Sequence, residues 1–150
     1  MPLREASLND IDAMHTLRLA VKENVLITHS LVTRDHYLKY LFDDGKGWVY
    51  EIEGSIVGFG IVDLKGSCVW GLFVSPEHEG KGIGKLLQEK MLKWYFNHSH
   101  KTLSLTTAQG TRAEKFYTLT GWKHKGILSN GEIKFEMEFN DWPGQNNHPI

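Results

Sequence analysis

The chain has 150 residues, of which 41% are hydrophobic and 23% charged, and its formal net charge is -1. These values are typical of one soluble domain and exclude a disordered chain, and no run approaches the ~20 apolar residues of a membrane span. The balanced charge argues against a nucleic-acid or membrane partner. A single cysteine, Cys68, excludes an internal disulfide and a Cys-rich metal site. The polar N-terminus lacks a signal-peptide pattern, so we expect a cytoplasmic protein.

Two helices are predicted in the first third of the chain. Residues 7–10 resemble a capping box, and apolar positions from Ile11 to Val25 follow near helical spacing. Thr33 can cap a second helix, which ends at the turn 43–45. A short connection joins the two helices.

The rest of the chain alternates strands with helices. Strands are predicted at residues 48–52, 55–62, 69–74, 102–107, 122–125 and 133–139, and helices at 83–96 and 111–121. This order predicts a mixed α/β or α+β sheet. We assign residues 1–139 to one domain. Residues 140–150 contain little to bury, and we expect them to form a mobile tail.

A glycine-rich loop joins a predicted buried strand to the longest predicted helix. The first turn of a helix leaves about four amide hydrogens unpaired, and the helix dipole adds about half a positive charge there. Glycines let an anion reach the backbone, and lysines add attraction. The residues concerned are Gly80, Lys81, Gly82, Gly84 and Lys85. We therefore predict a phosphate-binding site, the alternative being a turn whose glycines serve only the backbone geometry. The spacing disfavours a nucleoside triphosphate or NAD.

This loop resembles that of the GNAT acetyltransferase superfamily, in which Gln or Arg is followed by two residues, Gly, one residue, and Gly or Ala. The matching stretch here is 79–84. A second family block is similar to Ala113, the pair Phe116-Tyr117 and the pair Gly121-Trp122. Both blocks occur in the right order, and the resemblance extends to the whole order of predicted elements, so it covers about residues 3–139.

The resemblance implies a single-domain α/β (α+β) fold with a mixed, mostly antiparallel twisted sheet of about six to seven strands and about four flanking helices. It also implies an acetyl-CoA-dependent N-acetyltransferase. Such an enzyme moves an acetyl group to a primary amine of a small molecule or peptide, by direct attack in a ternary complex. Acetyl-CoA is then the co-substrate, no metal is expected, and a homodimer is compatible with folds of this kind. The alternatives are a non-catalytic acyl-CoA-binding sensor or assembly module, and a structural protein without CoA.

The same resemblance implies roles for individual residues. The pantetheine arm is expected to hydrogen-bond the backbone at about Phe73 and Val74, where the sheet splays from residues 105–107. Tyr117 matches the family tyrosine that protonates the departing CoA thiolate, the alternative being a core aromatic. The residues expected to bind the cofactor are Leu72, Phe73, Val74, Glu79, Gly80, Lys81, Gly82, Ile83, Gly84, Lys85, Arg112 and Phe116.

Three features depart from the family pattern. Glu79 replaces Gln or Arg and weakens phosphate binding if its carboxylate points inward. Arg112 lies in the stretch that replaces the usual Asn, where it either reaches a phosphate or lies in solvent. The strand 69–72 lacks the Glu that many relatives use as general base. The alternatives are a water chain or one of Glu23, His29, His36 and Asp63, among which the sequence does not choose.

Overall fold

The computed structural model describes residues 2–21 and 32–144, which form a mixed seven-stranded sheet. The strands are β1 (Leu3–Glu5), β2 (Gly45–Ile52), β3 (Ser55–Asp63), β4 (Cys68–Val74), β5 (Leu103–Thr107), β6 (Lys123–Ile127) and β7 (Ile133–Met137). The α-helices of the described residues are α1 (Ile11–Ala20), α2 (Arg34–Leu38), α3 (Ile83–His98) and α4 (Arg112–Leu119). This architecture confirms the predicted fold class. The short edge strand β1 was not predicted.

The sheet opens between its fourth and fifth strands. Its order is β1-β2-β3-β4-β5-β7-β6, and all neighbours are antiparallel except β4 and β5. Those two strands pair only at Cys68 and Ser104. A register shift against β3 leaves Trp70 as an extra residue in β4, and such a bulge bends a strand. The C-terminal half of β4 therefore presents an edge to a cleft inside the sheet, as the resemblance implies.

Helix α3 packs against β3 at positions that carry no side chain. A Cβ added to Gly60 would collide with the sulfur of Met91, and one added to Gly58 would lie 3.1 Å from a methyl group of Leu87. The two glycines therefore let the helix approach the sheet closely. The helical spacing of Ile83, Leu87, Met91 and Trp94, with Leu86 and Tyr95 beside them, predicts an apolar stripe on α3. The structure turns this stripe toward the core except at Leu86, which is 44% exposed.

The other face of the sheet is covered by α1 and α2. Met14 of α1 and Tyr37 of α2 are buried in one cluster with Phe59 and Ile61 of β3. Alternate residues of β3 therefore face α1 and α3, because successive strand side chains point to opposite sides. No helix in the described parts of the chain is long and apolar enough to cross a membrane.

The start of the expected mobile tail is part of the core, which corrects the boundary at residue 140. Trp142 is only 6% exposed, and its ring stacks on Phe96 of α3 at 5.4 Å between centroids. The composition of residues 140–150 suggested that they have little to bury, but one large aromatic side chain buries enough apolar surface to fix a short segment. Residues 145–150 lie outside the described residues.

Candidate active site

The N-terminus of α3 presents unpaired amides to solvent. Gly82 is the N-cap and offers no side chain to the helix, while its carbonyl accepts the first helical hydrogen bond, from Leu86 N at 3.1 Å. The amides of residues 83–85 consequently have no helical partner. Gly80 and Gly82 have φ values of +76° and +83°, which favour glycine, and a Cβ at either position would meet nothing within 4 Å. The loop therefore exposes bare backbone.

The N-terminus of α4 is partly capped by its own side chains. The Thr111 hydroxyl accepts a hydrogen bond from Glu114 N at 3.2 Å, and the Glu114 carboxylate accepts one from Gly110 N, just before the N-cap, at 2.7 Å. This capping occupies one of the amides of the first turn that an anion would otherwise bind. The N-cap of α3, in contrast, is a glycine and competes for none of its amides.

The edge of β4 offers a second set of backbone groups. Ser75 N donates to Val57 O at 2.8 Å, and because hydrogen bonding alternates along an antiparallel strand, the Phe73 backbone also faces β3. The backbone groups of Leu72 and Val74 then point toward the cleft. The resemblance placed the pantetheine contact at about Phe73 and Val74. The register leaves the backbone groups of Leu72 and Val74 available for such a contact, which stays a prediction.

A cavity of about 500 Å³ joins the glycine loop, the β4 edge and α4. Ten of the twelve residues predicted to bind the cofactor line it: Leu72, Phe73, Val74, Glu79, Gly80, Gly82, Gly84, Lys85, Arg112 and Phe116. Lys81 does not line it, and the Ile83 side chain is buried in the core beneath α3, which leaves its amide as the group able to face an anion. The assignment of these residues as cofactor ligands stays a prediction.

Glu79 and Arg112 pair with each other at this cavity. The Nε of Arg112 lies 2.9 Å from Oε2 of Glu79, and the two side chains are 60% and 27% exposed respectively. The sequence left open whether the carboxylate points inward and whether the arginine lies in solvent. In the structure both residues line the cavity, and they hold each other there.

Tyr117 lines the cavity and is 6% exposed. Its ring contacts Trp122 and Phe135 at centroid distances of 5.6 and 5.9 Å. Burial alone raises the pKa of its phenol above the ordinary value. The position of Tyr117 is therefore compatible with both a role as an acid and a role as a core aromatic, because its ring belongs to the core while the residue borders the cavity. Its phenol stays protonated at neutral pH and can act only as an acid there.

Neither described candidate for the general base borders the cavity. His36 Nδ1 accepts a hydrogen bond from Thr33 N at 3.0 Å and caps α2. Asp63 pairs with Cys68 at the end of β4 farthest from the glycine loop, where its carboxylate accepts a hydrogen bond from Gly66 N at 2.9 Å. The other two candidates, Glu23 and His29, lie outside the described residues.

Sequence reasoning missed five residues that line the cavity: Val21, His78, Ala113, Lys115 and Leu119. Three of them follow Arg112 on α4, where positions three and four apart share a face, so helical spacing from Arg112 and Phe116 was an available signal. The Nδ1 atom of His78 is buried without a hydrogen-bond partner among the described residues. Nothing in the sequence indicated that Val21 lines the cavity, since its position depends on how α1 packs.

Cys68 lies away from this cavity, and we predict that it is unreactive. Burial, followed by the charge of Asp63, raises the pKa of its thiol to about 11. Since the thiolate is the nucleophile, two pKa units lower its reactive fraction about 100-fold at pH 8. Iodoacetamide labelling followed by mass spectrometry is expected to be correspondingly slower in the native protein than in urea. Equal rates would contradict this placement.

Comparison with known proteins identifies the class. The family model described as the acetyltransferase (GNAT) family matches residues 12–122. An uncharacterised N-acetyltransferase of Archaeoglobus fulgidus is 30% identical over 133 residues, covering 78% of this chain and 89% of that protein. The peptidyl-lysine N-acetyltransferase YiaC of Escherichia coli is 26% identical over 150 residues, covering 94% and 96%.

A solved structure supports the fold independently. The phosphinothricin acetyltransferase of Sinorhizobium meliloti, in complex with AcCoA, superposes with a TM-score of 0.76 at 14% identity, covering 92% of this chain and 89% of that one. The chain therefore belongs to the GNAT acetyltransferase family. It is accordingly an acyltransferase of the N-acetyltransferase class.

Proposed function

We propose that this cavity binds acetyl-CoA and that the acetyl group passes to a primary amine by direct attack within a ternary complex. The observation that carries the proposal is the uncapped N-terminus of α3 opening into the same cavity as the exposed β4 edge. Amides at a helix N-terminus suit a diphosphate, and a free strand edge suits an amide-bearing arm. The residues present therefore fit this co-substrate, which supplies an acetyl thioester.

The chain's own groups then have distinct tasks. Amides 83–85 hold phosphate oxygens, and Lys85 adds positive charge beside them. A backbone N–H of Leu72 or Val74 donates a hydrogen bond to the thioester oxygen, a kind of contact typically worth a few kcal/mol in the transition state. Tyr117 donates its phenolic proton to the departing sulfur. Its raised pKa makes it a weaker acid, but an apolar site raises the pKa of a thiol as well, so the difference between the two decides the transfer.

For the acceptor we propose a peptide lysine first and a small primary amine second. The lysine rests on the near full-length similarity to a peptidyl-lysine N-acetyltransferase. A lysine amine has a pKa of about 10.4 and must lose a proton to water before it attacks. After the attack the nitrogen loses a second proton, which replaces the one that Tyr117 gives to the sulfur. We further propose that the protein acts in the cytoplasm, in keeping with its single cysteine and balanced charge.

The test is release of free CoA thiol from acetyl-CoA in the presence of amines. A panel of lysine peptides, peptides with only a free N-terminus, polyamines and amino acids is expected to contain at least one acceptor that raises thiol release above the rate without amine. Mass spectrometry of the product then identifies the acetylated nitrogen. If the protein binds CoA yet no amine raises the rate, the proposed function is wrong.

A further inference from the structure

The feature that the proposed function does not use is the ion pair between Glu79 and Arg112. Glu79 follows the short 3-10 turn Pro76–His78 at the start of the glycine loop, and Arg112 is the first residue of α4. The two elements are far apart in sequence and meet only across the cavity, where the guanidinium and the carboxylate are 2.9 Å apart.

An unpaired carboxylate at this position would oppose phosphate binding. Glu79 lines the cavity three residues before Gly82, the N-cap whose helix offers its free amides to an anion. Like charges repel, and the half-buried Glu79 side chain is screened by solvent less than an exposed one. Without a compensating positive charge, Glu79 would therefore lower the affinity of the free α3 amides for a phosphate.

Hydrogen bonds at the start of α4 help to position Arg112, which carries the compensating positive charge. The Thr111 hydroxyl accepts from Glu114 N, the Glu114 carboxylate accepts from Gly110 N just before the helix, and Arg112 lies between Thr111 and Glu114 in sequence. The carboxylate of Glu114 is itself engaged with Gly110 N at 2.7 Å. The side chain of Arg112 is instead directed to Glu79, with its Nε as the donor.

We propose that Arg112 is a positioning residue that neutralises Glu79 and holds its carboxylate, so that a diphosphate can occupy the amides of α3. This inference rests on the proposed CoA site. It differs from a direct phosphate contact by Arg112, because the effect of the arginine then depends entirely on the presence of Glu79.

The test is a cycle of four proteins: wild type, Glu79→Gln, Arg112→Gln and the double variant, each titrated with CoA by calorimetry. Exposed charge pairs have modest effects, so Arg112→Gln is expected to weaken CoA binding about three- to tenfold. The double variant is expected to return to within about twofold of wild type, and Glu79→Gln alone to bind as well as wild type or better. Arg34→Gln removes an equal charge from an exposed pair with Asp12 outside the cavity and is expected to change nothing.

The outcomes separate the possible explanations. A double variant as weak as Arg112→Gln would overturn the proposal and make Arg112 a direct phosphate ligand. Unchanged affinity in Arg112→Gln would overturn it as well. If the wild type does not bind CoA at millimolar concentration, the proposed function fails first. Thermal denaturation of all four proteins shows whether any loss of affinity reflects unfolding.

Discussion

The variant Gly82→Asp is expected to lose at least about 100-fold in affinity for CoA, measured by calorimetry. The substitution puts a side chain and a negative charge at the N-cap of α3, where a Cβ points into open space and the next three amides are free. Displacing two hydrogen bonds to a charged phosphate, each worth about 1.5 kcal/mol, is sufficient for an effect of this size.

The same change also forces a non-glycine residue into left-handed backbone, which costs roughly 1–2 kcal/mol of stability. Gly54→Asp is the matched control, because Gly54 has a φ of +81° against +83° for Gly82, has equally open surroundings, and does not line the cavity. The control is expected to lose similar stability and to bind CoA normally. Equal CoA affinity in both variants would refute the role of the amides.

The second large effect is expected for Tyr117→Phe. Loss of a general acid typically costs about 10²- to 10⁴-fold in rate, so kcat is expected to fall at least about 100-fold while CoA affinity stays within about twofold. Steady-state kinetics with any acceptor found in the panel, together with calorimetry, separates the two quantities. A variant that keeps wild-type kcat would leave Tyr117 as a core aromatic only.

Tyr95→Phe is the control for removal of a buried tyrosine hydroxyl. The Tyr95 hydroxyl donates to the Lys101 carbonyl at 3.0 Å, away from the cavity. Its loss is expected to cost about 1 kcal/mol of stability and leave kcat unchanged.

The pH dependence of the wild type provides a further test of the same residue. Tyr117 can donate a proton only while its phenol is protonated, and burial raises the pKa of this phenol. Ionisation of Tyr117 is therefore not expected to lower kcat between pH 7 and about 10. A decline centred near pH 10 and absent from Tyr117→Phe would show that the phenol ionises as in open solvent.

The geometry of the glycine-rich loop was predictable because its requirements are local. Three alternating glycines at the start of an amphipathic helix determine which amides are free and where side-chain bulk is missing, and the positive φ values of Gly80 and Gly82 follow from the same pattern. Ile83 begins the helix after this loop, but its side chain belongs to the apolar stripe of α3 and therefore points into the core.

Contacts between distant segments were not predictable in this way. The pairing of Glu79 with Arg112 depends on the cleft between β4 and β5, across which the glycine loop and the start of α4 approach each other. The burial of Trp142 likewise depends on a neighbouring aromatic ring, Phe96, which the chain brings close only in the folded state. In both cases the two partners are far apart in sequence, so only the folded structure shows that they are in contact.

A crystal of the protein soaked with CoA tests directly whether the cavity binds this co-substrate. We expect diphosphate oxygens at hydrogen-bond distance, about 3 Å, from the amide nitrogens of residues 83–85. We also expect the pantetheine arm to lie along the β4 edge at Leu72 and Val74. Phosphates bound at any other surface, or a cavity without CoA at a saturating concentration, would contradict the proposed binding site.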